Sequence, residues 1–256
     1  TEAAVAAERA ELIAVTGPAG AGASTVAQAL ATALAGRGPT LLADLALDAD
    51  QHVRHGVRPG TDGVLELAEA LRHAPPADVT PPVAPQAVGY DLVCGLRRRQ
   101  EWVVLGASVT DQLVDVLRRA HRHVVADISP ELEGRVETGS LDVEDRNALA
   151  RTVVRLADTV VVVGRATTTG LPRLVRLCAE LDHHGVDRRR VRPVLNVAPR
   201  RTAARRATAT LLDDLVGDGW PPAVTLPHDR RVEGRLREAA PLPRRLVDRV
   251  GALVPA

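Results

Sequence analysis

Short, wholly apolar runs alternate along the chain with longer stretches whose apolar residues recur every three to four positions. The apolar runs predict strands at ELIAVTG (11–17), TLLAD (40–44), YDLVCG (90–95), HVVADIS (123–129), DTVVVVGRA (158–166), VRPVLNV (191–197) and AVTLP (223–227). EWVVLG (101–106) is a further candidate strand. The amphipathic stretches predict helices at 24–38, 63–73, 108–121, 144–157 and 171–185, and near 203–216, 230–239 and 244–253. Gly36, Gly38 and Gly185 stop the helices before them. The proline-rich stretch 74–86 reads as a loop and 1–10 as a tail. Strands that are apolar on every position, interleaved with helices, imply a parallel sheet covered on both faces. The expected fold is a three-layer, doubly wound α/β domain spanning 1–256. Ligands in such folds bind beyond the carboxyl ends of the strands.

That rule directs attention to TGPAGAGAST (16–25), between the first strand and the first helix. Gly17, Gly20 and Gly22 have the spacing of a phosphate-binding loop, G-x-x-x-x-G-x-S, ending in Ser24 and Thr25. Glycines let successive backbone N–H groups turn inward, and the helix start adds the positive end of its dipole. The Ser24 hydroxyl would sit on Mg²⁺. Ala23 stands where such loops carry lysine, which removes a charge-assisted phosphate contact worth about 1.5–3 kcal/mol. The strand TLLAD ends in Asp44, and HVVADIS carries Asp127 after its apolar run, in the position of an acid behind the metal.

Composition sharpens the problem of the missing cation. The 256 residues contain 33 basic side chains, and every one is arginine, so no lysine elsewhere can replace the one lost at position 23. With two Trp, one Tyr and no Phe, the core must be built from Ala, Val and Leu. The net charge of +1 creates no global field toward nucleic acid or membrane. Arginine runs at 97–99, 188–190 and 200–206 are the places where non-specific DNA contact is conceivable, but codon bias toward arginine makes a solvated surface the better reading. Cys94 and Cys178 lie in apolar segments and read as buried, inert thiols. The paired histidines lack a second ligand pair at zinc-site spacing.

The order of these motifs resembles the MinD/ParA group of deviant Walker A ATPases: a P-loop after strand one, LLAD, VVAD, ADTVVVV and VLNV. Within that group GAGAST is similar to the loops of the CpaE/TadZ branch of pilus-assembly proteins, which carry alanine at the lysine position, and LRRRQEWVVL (96–105) and RNALAR (146–151) resemble segments of its actinobacterial members. The resemblance covers about residues 11–240. It implies ATP and Mg²⁺ as ligands, with Gly17, Gly20, Ala21, Gly22, Ala23, Ser24 and Thr25 at the phosphates and Ser24 and Asp127 on the metal. It further implies Asp44 near the attacking water, Asn196 reading the base, and Pro227 and Asp229 in a late loop beside it. The second acid of the family's D-x-D segment falls at Ala46, and its signature lysine falls at Pro18. Because the first strand begins near residue 11, no N-terminal receiver-like domain is expected.

The function implied is a cytoplasmic localisation and scaffolding factor for pilus or secretion-system assembly, working as a homodimer, with weak or absent ATP hydrolysis. An active MinD/ParA ATPase in chromosome or plasmid partitioning or septum-site positioning, and a pseudo-ATPase that binds no nucleotide, are the alternatives. The segment 243–254 pairs one apolar face with arginines; it reads as a helix packed on the body of the protein, with peripheral contact at the inner membrane face or a cell pole as the other reading.

Overall fold

The computed structural model describes residues 10–58, 60–86 and 89–254. Its strands are β1 (Glu11–Thr16), β2 (Thr40–Leu45), β3 (Ala84–Pro85), β4 (Asp91–Val93), β5 (His123–Ile128), β6 (Thr159–Arg165), β7 (Val191–Ala198) and β8 (Val224–Pro227). They form one sheet in the order β3-β4-β2-β5-β1-β6-β7-β8. Every pairing is parallel except β3 with β4. The helices are α1 (Ala23–Ala35), α2 (Gln51–Arg54), α3 (Val64–His73), α4 (Trp102–Leu105), α5 (Thr110–Ala120), α6 (Arg135–Thr138), α7 (Leu141–Leu156), α8 (Gly170–His183), α9 (Thr202–Val216), α10 (Arg231–Arg237) and α11 (Arg244–Gly251). This is a doubly wound, mostly parallel α/β sheet with helices on both faces, as the alternation of runs predicts.

The strands lack polar alternation because both faces of the sheet are covered. Along β1, Leu12 and Ala14 join the core under α3, α5, α7 and α8, while Ile13 and Val15 join the core under α1. Leu30 and Leu34 of α1 are fully buried in that second core, each worth about 1.5–3 kcal/mol relative to exposure. Tyr90 is the buried aromatic residue of the second core; Trp102 and Trp220 only pack at the edge of the first. Cys94 and Cys178 are buried free thiols, and burial pushes Cys178 up to about 12.

Two expectations need correction. EWVVLG is not a strand: a turn of 3₁₀-helix (Arg99–Glu101) leads into α4. Val103 and Val104 are exposed, so the apolar run was not a sign of burial in the sheet. The stretch 74–86 holds a 3₁₀ turn and the two-residue edge strand β3, which suits prolines because β3 pairs on one side only.

The carboxyl-terminal segment settles against α1. Val250, Leu253 and Val254 are buried in the second core, and Gly251 lies against Ala33. The Arg37 guanidinium donates to the carbonyls of Gly251 (2.9 Å) and Val254 (3.1 Å). Of the apolar face of 243–254, Val250 and Val254 are therefore spent inside the protein, and Leu246 and Val247 pack partly against the same core. Among the described residues no helix is long and apolar enough to cross a membrane.

Candidate nucleotide site

The loop between β1 and α1 is shaped by two glycines that nothing else could replace. A Cβ on Gly17 would lie 2.3 Å from the carbonyl oxygen of Val163 in the neighbouring strand. Gly22 has φ 92° and ψ 26°, and a Cβ there would lie 2.4 Å from Nδ2 of Asn196. The turn closes with the Ala21 N–H donating to the Pro18 carbonyl at 2.9 Å. Gly22 stands at the N-cap of α1 without a side-chain cap, and the first turn holds no acid. The leading amides of α1 therefore have no side chain of their own to satisfy them and are presented for an anion.

Behind the loop lies a pair of acids. Asp44 and Asp127 are register partners on adjacent strands β2 and β5, and both are buried. Gln51, fully buried at the start of α2, ties them together. Its backbone N–H donates to Asp44 Oδ2 at 2.9 Å, and its side-chain amide donates to Asp127 Oδ2 at 2.8 Å and to the Ser24 carbonyl at 3.0 Å. Burial raises the Asp44 pKa well above the ordinary carboxylate range, and repulsion from Asp127 adds to it. Burial likewise pushes Asp127 up to about 6, with the Gln51 amide and the Ser24 hydroxyl pulling the other way. Asp44 Oδ1 and Gln51 Oε1 are buried without a hydrogen-bond partner among the described residues.

The Asp44 and Asp127 carboxylates, the Ser24 hydroxyl and the unpartnered Gln51 side-chain oxygen make a set of hard oxygens at a helix N-terminus. That chemistry fits Mg²⁺. Ser24 and Asp127 are the residues that would hold it, with Asp44 beside them.

A cavity of 910 Å³ opens over Gly20, Ala21, Gly22 and Thr25, with Asn196, Pro227 and Asp229 in its wall. Ser24, Asp44 and Asp127 are not part of that wall, so the acids sit behind the loop rather than in the cavity. Asn196 is delivered by an irregularity in β7, whose pairing with β8 shifts between Leu195 and Ala198. The next residue, Val197, has φ 54°, a strained geometry for a β-branched side chain. The Asn196 amide donates to the Ala21 carbonyl at 2.9 Å, and its oxygen accepts from the Val197 N–H at 2.8 Å. Asp229 is held by Arg231, which lowers its pKa to about 2.

Two residues at this site escape the sequence pattern, Gln51 and Arg54. The Arg54 guanidinium grips Asp50 through Nε and Nη2, both at 2.7 Å, and donates from Nη1 to Thr25 Oγ1 at 3.2 Å. Burial works against its charge, but Asp50, Asp127 and Asp44 outweigh it and hold its pKa above the usual value. The i,i+4 pairing of Asp50 with Arg54 is the one signal in the sequence that points to α2.

No family model and no curated protein matches the chain in sequence. Solved structures match it over almost its full length. It is similar to a ParA family ATPase from Chlorobium tepidum (15% identity, 95% of this chain and 98% of that one, TM-score 0.72). It is similar to a putative plasmid partition protein from Borrelia burgdorferi bound to AMPPNP (14%, 96% and 97%, TM-score 0.69). It is similar also to the septum site-determining protein MinD from Pyrococcus horikoshii complexed with Mg-ADP (16%, 95% and 91%, TM-score 0.65). With its loop, its two strand-end acids and its strand order, the chain has the P-loop NTPase fold that ParA and MinD ATPases share.

Proposed function

We propose that this chain is a nucleotide-binding protein of the MinD/ParA kind with a degenerate Walker A loop, acting as a homodimeric localisation and scaffolding factor of CpaE/TadZ character in pilus or secretion-system assembly. The observation that carries the nucleotide reading is the uncapped start of α1 behind Gly22, with Ser24 and Asp127 meeting just below it. The backbone amides from Gly20 to Thr25 hold the phosphates, and Asn196, Pro227 and Asp229 line the space for the nucleoside. Ser24 and Asp127 would hold Mg²⁺, which would supply positive charge to offset that of the phosphates. The resemblance puts Asp44 near the attacking water, yet its carboxyl is fully buried behind the loop and outside the cavity wall, which fits weak or absent hydrolysis.

Hydrolysis in this reading is slow or absent. Neither Ala23 nor Pro18 can place a charge on the phosphates as they redistribute electrons in the transition state. A nucleotide state that persists suits a positional marker better than a cycling motor. The first two arginine runs are partly neutralised locally, Arg97 by Glu66, Arg99 by Asp48, Arg188 by Asp182 and Arg189 by Asp187, which lowers their appeal as a DNA-binding surface. One titration of ATP·Mg²⁺ with a parallel turnover assay tests the reading. Binding without turnover is expected. Turnover that is lost in Asp44→Ala would replace the scaffold by an active ATPase, and no binding at all would leave an interaction module only.

A further inference from the structure

The loop lacks a cation at both family positions, the chain has no lysine, and yet a guanidinium reaches the start of α1 from outside the loop. Arg54 is the last residue of α2, and its side chain is 22% exposed. Three acids lie around it: Asp50 in direct contact, Asp127 and Asp44 at longer range. An ordinary i,i+4 ion pair would face solvent and need no further partner. This one instead extends its third nitrogen to the hydroxyl of Thr25, whose N-terminal neighbours are the loop itself. The same cluster contains the two buried oxygens without partners, Asp44 Oδ1 and Gln51 Oε1, which independently mark it as built around a ligand.

We infer that Arg54 is the cation of this phosphate site, supplied in the same chain from α2 and held in readiness by Asp50. The inference rests on the reading of the loop as a nucleotide site. Arg54 presents a planar fork that matches phosphate oxygens two at a time. Bound phosphate competes with Asp50 for that fork, so Asp50 is a positioning residue that sets how much of the arginine's attraction reaches the ligand. The contact follows the phosphates and is indifferent to the base.

The test is calorimetric titration of the full chain with ATP·Mg²⁺ and ADP·Mg²⁺, with circular dichroism and a melting curve for each variant. Arg54→Ala is expected to weaken both nucleotides about tenfold or more. Arg54→Lys is expected to recover part of the loss, since charge returns without the fork, and exposed Arg58→Ala to bind as the wild type. Asp50→Asn is expected to tighten binding in the wild-type background and to gain much less when combined with Arg54→Ala. An equal gain in both backgrounds would mean that Asp50 merely repels phosphate, and would overturn its role as a latch. Should Arg54→Ala fail to fold, the comparison of Arg54→Lys with the wild type and with Asp50→Asn decides in its place. Wild-type binding that survives unchanged in a folded Arg54→Ala, or in Arg54→Lys and Asp50→Asn together, overturns the inference alone. Absence of binding by the wild type removes the nucleotide reading and the inference with it.

Discussion

Asn196 closes over Gly22 so tightly that position 22 has no room for a side chain: the amide nitrogen would stand 2.4 Å from a Cβ. The same amide holds the Ala21 carbonyl at 2.9 Å, so one side chain from β7 fixes the loop's last turn. Gly22→Ala meets both this contact and the strain of φ 92°. We expect a loss of about 1–3 kcal/mol in unfolding free energy together with loss of ATP binding. Adding Asn196→Ala should relieve the contact but not the backbone strain, restoring part of the stability and little of the binding. Urea denaturation of the single and double variants measures both components.

Ala23→Lys returns an ammonium group to the first residue of α1. If the loop has kept its phosphate-binding shape, ATP should bind about tenfold tighter. The gain should be larger in an Arg54→Ala background, where the guanidinium at the start of α1 no longer competes for the phosphates. Calorimetry that finds no change in either background would show that the amides around position 23 do not face a ligand.

Why was so much of this legible in the sequence, and Arg54 not? The long elements follow from periodicity, because Leu12 to Val15 and Val160 to Val163 must be apolar on both sides once helices cover the sheet. The loop is legible because Gly17 and Gly22 are demanded by backbone geometry, which leaves a mark in residue type. Asp44 and Asp127 are legible because each ends or nearly ends an apolar run. Arg54 and Gln51 sit in a single turn of helix, too short to carry a period, and arginine is too common in this chain to draw attention. EWVVLG misled for the opposite reason. A run of four apolar residues fits one turn of helix as well as a strand, and only the exposure of Val103 and Val104 separates the two.

Arg37 ties the end of the chain to α1 by donating to the carbonyls of Gly251 and Val254. Gly251 ends α11 and Val254 lies in the turn beyond it, and without a donor both carbonyls would have to find water. Arg37→Ala should cost about 1–2 kcal/mol and loosen the packing of Val250 and Leu253 on α1. The phosphate loop lies at the opposite end of α1, but Arg245, Leu246 and Arg249 of α11 line the cavity, so ATP affinity should fall modestly. Hydrogen exchange of the amides near 246–254 and a nucleotide titration of the same variant check both halves.

The buried acids make stability depend on pH in a stated direction. Asp44 and Asp127 have folded-state pKa values raised by burial, and for Asp127 the value reaches about 6. The folded protein therefore holds protons that the unfolded chain releases at about pH 3.9. The stability this contributes is fully present below that point and is lost as pH rises through about 6. Other groups titrate in the same window, so the informative quantity is the difference between the wild type and Asp44→Asn. Asparagine keeps the shape, accepts the Gln51 N–H as Asp44 does, and never ionises. Asp44→Asn should be close to the wild type in unfolding free energy at about pH 4 and more stable at about pH 7, with the advantage growing across the interval. Mg²⁺ should narrow that advantage at neutral pH, because a cation stabilises the ionised pair and only the wild type has two carboxylates to offer. An advantage that stays constant with pH would mean that Asp44 is ionised throughout, and that its neighbours, the backbone N–H groups of Gln51 and Ala46 among them, compensate its charge.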